Sequence, residues 1–146
     1  MKKILTLILI GLFLVFGMLS FAQEKEEMKM ADPAEELAKS IANGKMLFGD
    51  KSLGTGTMTC NSCHMEGGTK DGKMGDKMIP AFDNVASKYP KYFKMAQKVM
   101  TLSQVNNWCL VNTPMKGKAL AWDDQKLADL TAYVASVKAM KEEKKK

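Results

Sequence analysis

Apolar positions cluster most heavily at the start of the chain. Ile4 to Leu19 is broken only by Thr6 and two glycines, Gly11 and Gly17, and Lys2 and Lys3 precede it. Ser20-Phe21-Ala22 then places small residues where a signal peptidase reads, and Gln23 to Glu27 turns abruptly polar. This is the layout of a secretory signal peptide, and it predicts export with cleavage after Ala22. Sixteen residues from Ile4 to Leu19 fall short of the about 20 that span a bilayer. An uncleaved segment is therefore the alternative, and contact with a membrane is expected only in that case. No cysteine lies near the cleavage point, which argues against a lipid anchor.

Beyond the leader the pattern predicts helices joined by long loops. Residues 23–33 are charged and lack a core pattern, so they read as a flexible linker. Leu37, Ile41, Met46 and Phe48 suggest one face of a helix from about Ala34 to Leu47, with Pro33 suited to its first turn. Glu66 to Pro80 holds four glycines and a proline and reads as loop. Tyr89 to Met100 is taken as a helix, and Thr101 to Val111 as another with Thr101 as N-cap. Asp123 to Met140 is the clearest helix. Asp123 or Asp124 caps it, and Leu127, Leu130, Val134 and Val137 line one face. No segment shows convincing strand alternation, so the expected fold is all-α. One domain is expected over 34–140, followed by a charged tail, 141–146.

Cys60-Asn61-Ser62-Cys63-His64 carries the chemistry. C-x-x-C-H is the attachment pattern of c-type haem. Two thiols three positions apart can each add to one haem vinyl group, and the adjacent histidine then sits under the iron as proximal ligand. A thioredoxin-like site expects a βαβ context, and a zinc site wants four suitably spaced ligands. With three cysteines and one histidine in the chain, zinc would need all of them. A Cys60–Cys63 disulfide would close a very small loop. The single C-x-x-C-H predicts one covalently attached haem c per chain. Attachment of haem c outside the cytoplasmic membrane agrees with the leader and predicts a bacterial periplasmic protein. The odd cysteine, Cys109, then asks for a role as reactive thiol, partner thiol or metal ligand.

Cleavage after Ala22 would leave 124 of the 146 residues and a net charge of +4 instead of +6. All basic residues are lysines. That surface suits weak, fast docking to acidic redox-partner proteins. Without a basic aromatic cluster, and in an exported chain, nucleic-acid binding is not expected.

The order of parts resembles a class I cytochrome c domain, whose N- and C-terminal helices cross and whose haem is wrapped by helices and long loops. The resemblance gives Gly44 and Phe48 to the first helix of the crossing and Tyr133 to the second. From about Leu47 to Val137 the chain is similar to the cytochrome c domains of thiosulfate dehydrogenases and SoxA-type sulfur-oxidising cytochromes. The pieces are Thr59-Cys60-Asn61-Ser62-Cys63-His64-Met65-Glu66-Gly67-Gly68-Thr69, Tyr89-Pro90-Lys91-Tyr92, Thr101 to Cys109 and Met115-Lys116-Gly117-Lys118-Ala119-Leu120. The resemblance implies that Cys109 binds the haem iron. The chain departs from those enzymes in having one haem motif where two are typical, and in lacking the arginines that help bind an anionic substrate.

Two sulfurs therefore compete for the distal iron position. Met115 lies 18 residues before Tyr133, about where a class I cytochrome places its methionine. A thioether there raises the potential and suits electron carriage. Cys109 as thiolate would stabilise ferric iron and lower the potential. Met74, Met78 or a lysine are the remaining donors. The Pro80 carbonyl is a candidate acceptor for the ring N–H of His64. The leading expectation is a non-enzymatic carrier of single electrons. The alternative is a thiosulfate-oxidising enzyme, or its cytochrome subunit, working through a Cys109-ligated haem. A gas sensor would need an open sixth position, which two sulfur candidates oppose.

Overall fold

A computed structural model describes residues 31–138. The leader, linker residues 23–30, Met140 and the charged tail lie outside them. Five helices are described: α1 (Pro33–Phe48), α2 (Cys60–Cys63), α3 (Met65–Gly68), α4 (Leu102–Asn112) and α5 (Gln125–Ser136). Four three-residue strands make two antiparallel hairpins, β1 (Gly72–Met74) with β2 (Lys77–Ile79) and β3 (Lys91–Phe93) with β4 (Lys98–Met100). The mostly helical fold class is as expected. Both hairpins are additions to it, and the second replaces the helix expected over Tyr89 to Met100. Among the described residues no helix is long and apolar enough to cross a membrane.

Local signals set the helix ends. The Asp32 carboxylate accepts from Ala34 N, with Pro33 in the first turn, and so starts α1. At α4, the Thr101 hydroxyl accepts from Gln104 N while the Gln104 side chain accepts from Thr101 N. Asp124 caps α5 through Lys126 N. The expected C-terminal extent is corrected: α5 stops at Ser136, and Val137 is already extended.

α1 crosses α5, and Gly44 makes the close approach possible. A Cβ at Gly44 would collide with the Asp129 carbonyl and with the Tyr133 Cβ. Phe48, Leu102, Leu130, Tyr133, Val134 and Val137 form the main core. Beside the crossing, Ser40 and Gln125 both donate to the buried Asp129 carboxylate, at 2.6 and 2.7 Å. A buried acid with two donors satisfies the rule that interior polar groups are paired. The α1 face is the expected one at Ile41 and Phe48 and differs at Leu37 and Met46. Leu37 and Met46 point to solvent, 56% and 68% exposed, and the contact runs through Gly44 and Phe48 with Ile41 and Leu47 beside them. Close helix approach needs a small residue at the contact point, which Gly44 supplies, and Phe48 fills the space beside it.

Gly44→Ala should therefore destabilise the protein by about 1–3 kcal/mol, as overpacking does. Leu37→Ser should change stability by less than about 0.5 kcal/mol, as exposed substitutions do. Denaturant midpoints of the two variants check the contrast.

Candidate haem site

The C-x-x-C-H motif enters from a loop onto the one-turn helix α2. Thr59 is buried and its N–H donates to Ser62 Oγ at 3.0 Å. This turn sets Cys60 and Cys63 three positions apart, and His64 N closes it on the Cys60 carbonyl at 3.0 Å. At His64 the chain leaves helical geometry, and Glu66, Gly67 and Gly68 follow with φ of +50°, +69° and +87°. Glycine takes such angles without the Cβ penalty. The Asn61 side chain accepts from Gly67 N at 2.7 Å, and Tyr133 Oη donates to the Gly67 carbonyl at 2.9 Å. The helix crossing and the motif turn are thus bonded directly.

The imidazole of His64 packs against Phe82 with ring centroids 4.4 Å apart, and Phe48 stands at 6.2 Å. Burial lowers its pKa to about 4, so the ring is neutral at neutral pH, as metal ligation requires. Its Nδ1 is buried without a hydrogen-bond partner. The expected bond from that atom to the Pro80 carbonyl is therefore not made. Phe82, two residues on, supports the ring by stacking instead. Phe82 is held in turn by its own N–H, which donates to the Gly68 carbonyl at 2.7 Å.

Facing this unit are two further sulfurs. Met115 is 5% exposed and packs with Leu53 and Leu110, its Sδ 3.9 Å from Cys60 Sγ. Its carbonyl accepts from Thr55 N and Gly56 N at 3.0 and 3.1 Å. Its own N–H donates to Thr113 Oγ1 at 3.3 Å, and that hydroxyl donates to the Cys109 carbonyl at 2.7 Å. Thr113 thus ties the backbones of both candidate distal residues together. Asn107 holds the following loop in both directions, donating to the Leu120 carbonyl and accepting from Leu120 N at 2.9 and 2.8 Å. These polar staples carried no expectation from the sequence. Thr113 lies four residues after Cys109, the spacing at which a hydroxyl reaches back to a helix carbonyl.

None of the three cysteines is in a disulfide. Burial pushes Cys60 up to about 12, with a further contribution from Cys109. Burial likewise pushes Cys109 up to about 11, with Cys63 adding to it. Cys109 thus lies within electrostatic reach of both motif thiols. It is protonated at neutral pH unless a bound metal displaces the proton. Among the described residues no group of three or more His, Cys, Asp or Glu side chains could hold a metal ion. The donor set suits a porphyrin-held iron better: paired thiols, a neutral imidazole with an orphaned nitrogen, and two sulfurs nearby. Met74 and Met78 sit on the β1–β2 hairpin, and Met78 is 56% exposed. A separate hollow of about 420 Å³, lined by Asn43, Met46, Leu47, Asp50, Lys126 and Asp129, includes none of the expected site residues.

Tyr133→Phe keeps the ring packing and removes the bond to Gly67. A loss of about 1 kcal/mol is expected, the ordinary net value of one hydrogen bond, measured as a shift in the denaturant midpoint of the haem-loaded protein.

The family model for the SoxA/TsdA cytochrome c domain matches residues 43–140. Among solved structures, the as-isolated form of the thiosulfate dehydrogenase TsdBA from Marichromatium purpuratum is similar in fold, with a TM-score of 0.51 at 17% sequence identity. The match covers 73% of this chain and 24% of that one, so the chain spans about a quarter of that protein's length. No curated protein matches the sequence. The family match takes in the motif turn, both candidate distal residues, Cys109 and Met115, and all of α5, and the chain belongs to the SoxA/TsdA cytochrome c domain family, which implies haem c.

Proposed function

We propose that this protein is an exported, periplasmic carrier of single electrons, working through one haem c held covalently by Cys60 and Cys63. The observation that carries the reading is the buried Met115 sulfur standing 3.9 Å from Cys60 Sγ, beside the motif that holds Cys63 and the neutral His64. Bound haem c supplies an iron that cycles between ferric and ferrous states.

The chain's own residues limit rearrangement during that cycle. His64 is fixed by the left-handed turn behind it and by Phe82 against its face. Met115 is fixed by Thr55, Gly56 and Thr113 at its backbone. A thioether can ligate either oxidation state without gaining or losing a proton, so Met115 suits carriage. The apolar wall of Leu53, Leu110 and Met115 excludes water. Export rests on the leader sequence, and partner choice on the lysine-only basic surface.

A second reading is supported by the electrostatic reach of Cys109 to Cys60 and Cys63. With Cys109 as distal ligand, the domain would be a thiosulfate-oxidising haem enzyme or its cytochrome subunit. It would need a second haem from another domain or subunit.

The two readings separate optically. The carrier reading expects a weak far-red band in the oxidised protein that Met115→Leu abolishes and Cys109→Ser leaves intact. Loss of the native ferric spectrum in Cys109→Ser alone would favour the second reading. Thiosulfate added to the ferric protein should leave it ferric; reduction at a catalytic rate would overturn the carrier assignment.

A further inference from the structure

The charge of this chain is concentrated in one stretch. Residues 84–122 contain six lysines, Lys88, Lys91, Lys94, Lys98, Lys116 and Lys118, and no Asp or Glu. They account for the whole net charge of +6, because the remaining lysines and acids balance at 16 each. All six side chains are exposed, and among the described residues none of them forms an ion pair.

The β3–β4 hairpin lies within this stretch and has two unlike faces. Phe93 and Met100 belong to one face; Met100 is buried and Phe93 meets Trp108 edge-on, with centroids 5.2 Å apart. Tyr92 and Val99 are cross-strand partners on the other face, 59% and 66% exposed, with Met95 exposed at the turn. An aromatic, a β-branched and a thioether side chain are left in solvent, with Lys94 next to Met95 at the turn; the exposed Lys91 and Lys98 are in register with Met100 and Phe93 and flank the hairpin from its other face, so an exposed apolar centre sits within a basic hairpin. That is the anatomy of a docking surface. Trp108 precedes Cys109 on α4, so one packed aromatic pair links the hairpin to the helix carrying a candidate iron ligand.

We infer that the outer face of the β3–β4 hairpin is the docking surface for an acidic redox protein. The inference rests on the carrier reading and locates its partner. Opposite charge supplies long-range steering, which raises association rates and fades with salt. The small apolar centre gives a short-lived contact, as transient electron-transfer complexes require. The rest of the chain is balanced in charge overall.

The test uses the haem-loaded protein and a purified acidic blue-copper protein as probe. Association is followed by stopped flow across a salt series and by amide chemical shifts. Lys94→Glu/Lys98→Glu should lower the association rate at low ionic strength by about tenfold or more and flatten its salt dependence. Lys45→Glu/Lys73→Glu, an equal charge change outside the basic stretch, should lower it by less than about threefold. In the unsubstituted protein the largest shifts should fall on residues 91–100. Equal effects from both variants, or shifts centred elsewhere, would overturn the inference. So would this face binding anionic phospholipid vesicles or a second copy of the chain in preference to the acidic probe. The optical spectrum and the thiosulfate test on each sample report the carrier reading separately: its failure shows as a missing haem, a Cys109-ligated spectrum or reduction by thiosulfate, whereas failure of the docking surface shows with the carrier spectrum intact and no such reduction.

Discussion

The crossing of α1 and α5 at Gly44 is the constraint on which the rest of the molecule depends. Because no side chain stands at Gly44, the Asp129 backbone and Tyr133 come close enough for Phe48 to pack edge-on against the Tyr133 ring at 5.3 Å. From there Tyr133 reaches the carbonyl of Gly67 with its hydroxyl. Phe48 also approaches His64 and Phe82. One close contact between two helices distant in sequence therefore fixes the turn that presents the imidazole. The α4 side of the site is tied to the same helix by Asn106, which donates to Thr131 at 3.1 Å.

The two halves of the site are held in different ways. On the His64 side, aromatic packing and a left-handed turn leave the ring neutral and immobile. On the sulfur side, backbone hydrogen bonds from Thr55, Gly56 and Thr113 position Met115, and Asn107 secures the loop that follows.

Much of this was legible in the sequence, and what was not has a common cause. C-x-x-C-H is a local pattern whose chemistry follows from its spacing. Caps such as Thr101 and Asp124 are local too, and they marked the starts of α4 and α5. The β3–β4 hairpin was read as helix because its strands are three residues each, too short to show alternation, and Lys, Met and Ala at its turn favour helix. On α1 the apolar spacing points to Ile41 and Phe48, and the resemblance points to Gly44; Leu37 and Met46 share the apolar character but not the contact, because the crossing centres on Gly44. Phe82, two residues after Pro80, carries no local signal for its place against His64. Which of the two meets His64 depends on the fold of the loop after β2, and no spacing rule reports that.

The central claim is a haem c permanently joined to the polypeptide through Cys60 and Cys63, and its most direct test is the mass of the protein. The protein is made in a cytochrome-maturing host, denatured and extracted with acidified solvent, which strips any haem that is not covalently bound. The account predicts a polypeptide heavier than its amino acids by one haem, and a bare mass after Cys60→Ala/Cys63→Ala. An unsubstituted protein that weighs no more than its own residues would contradict it.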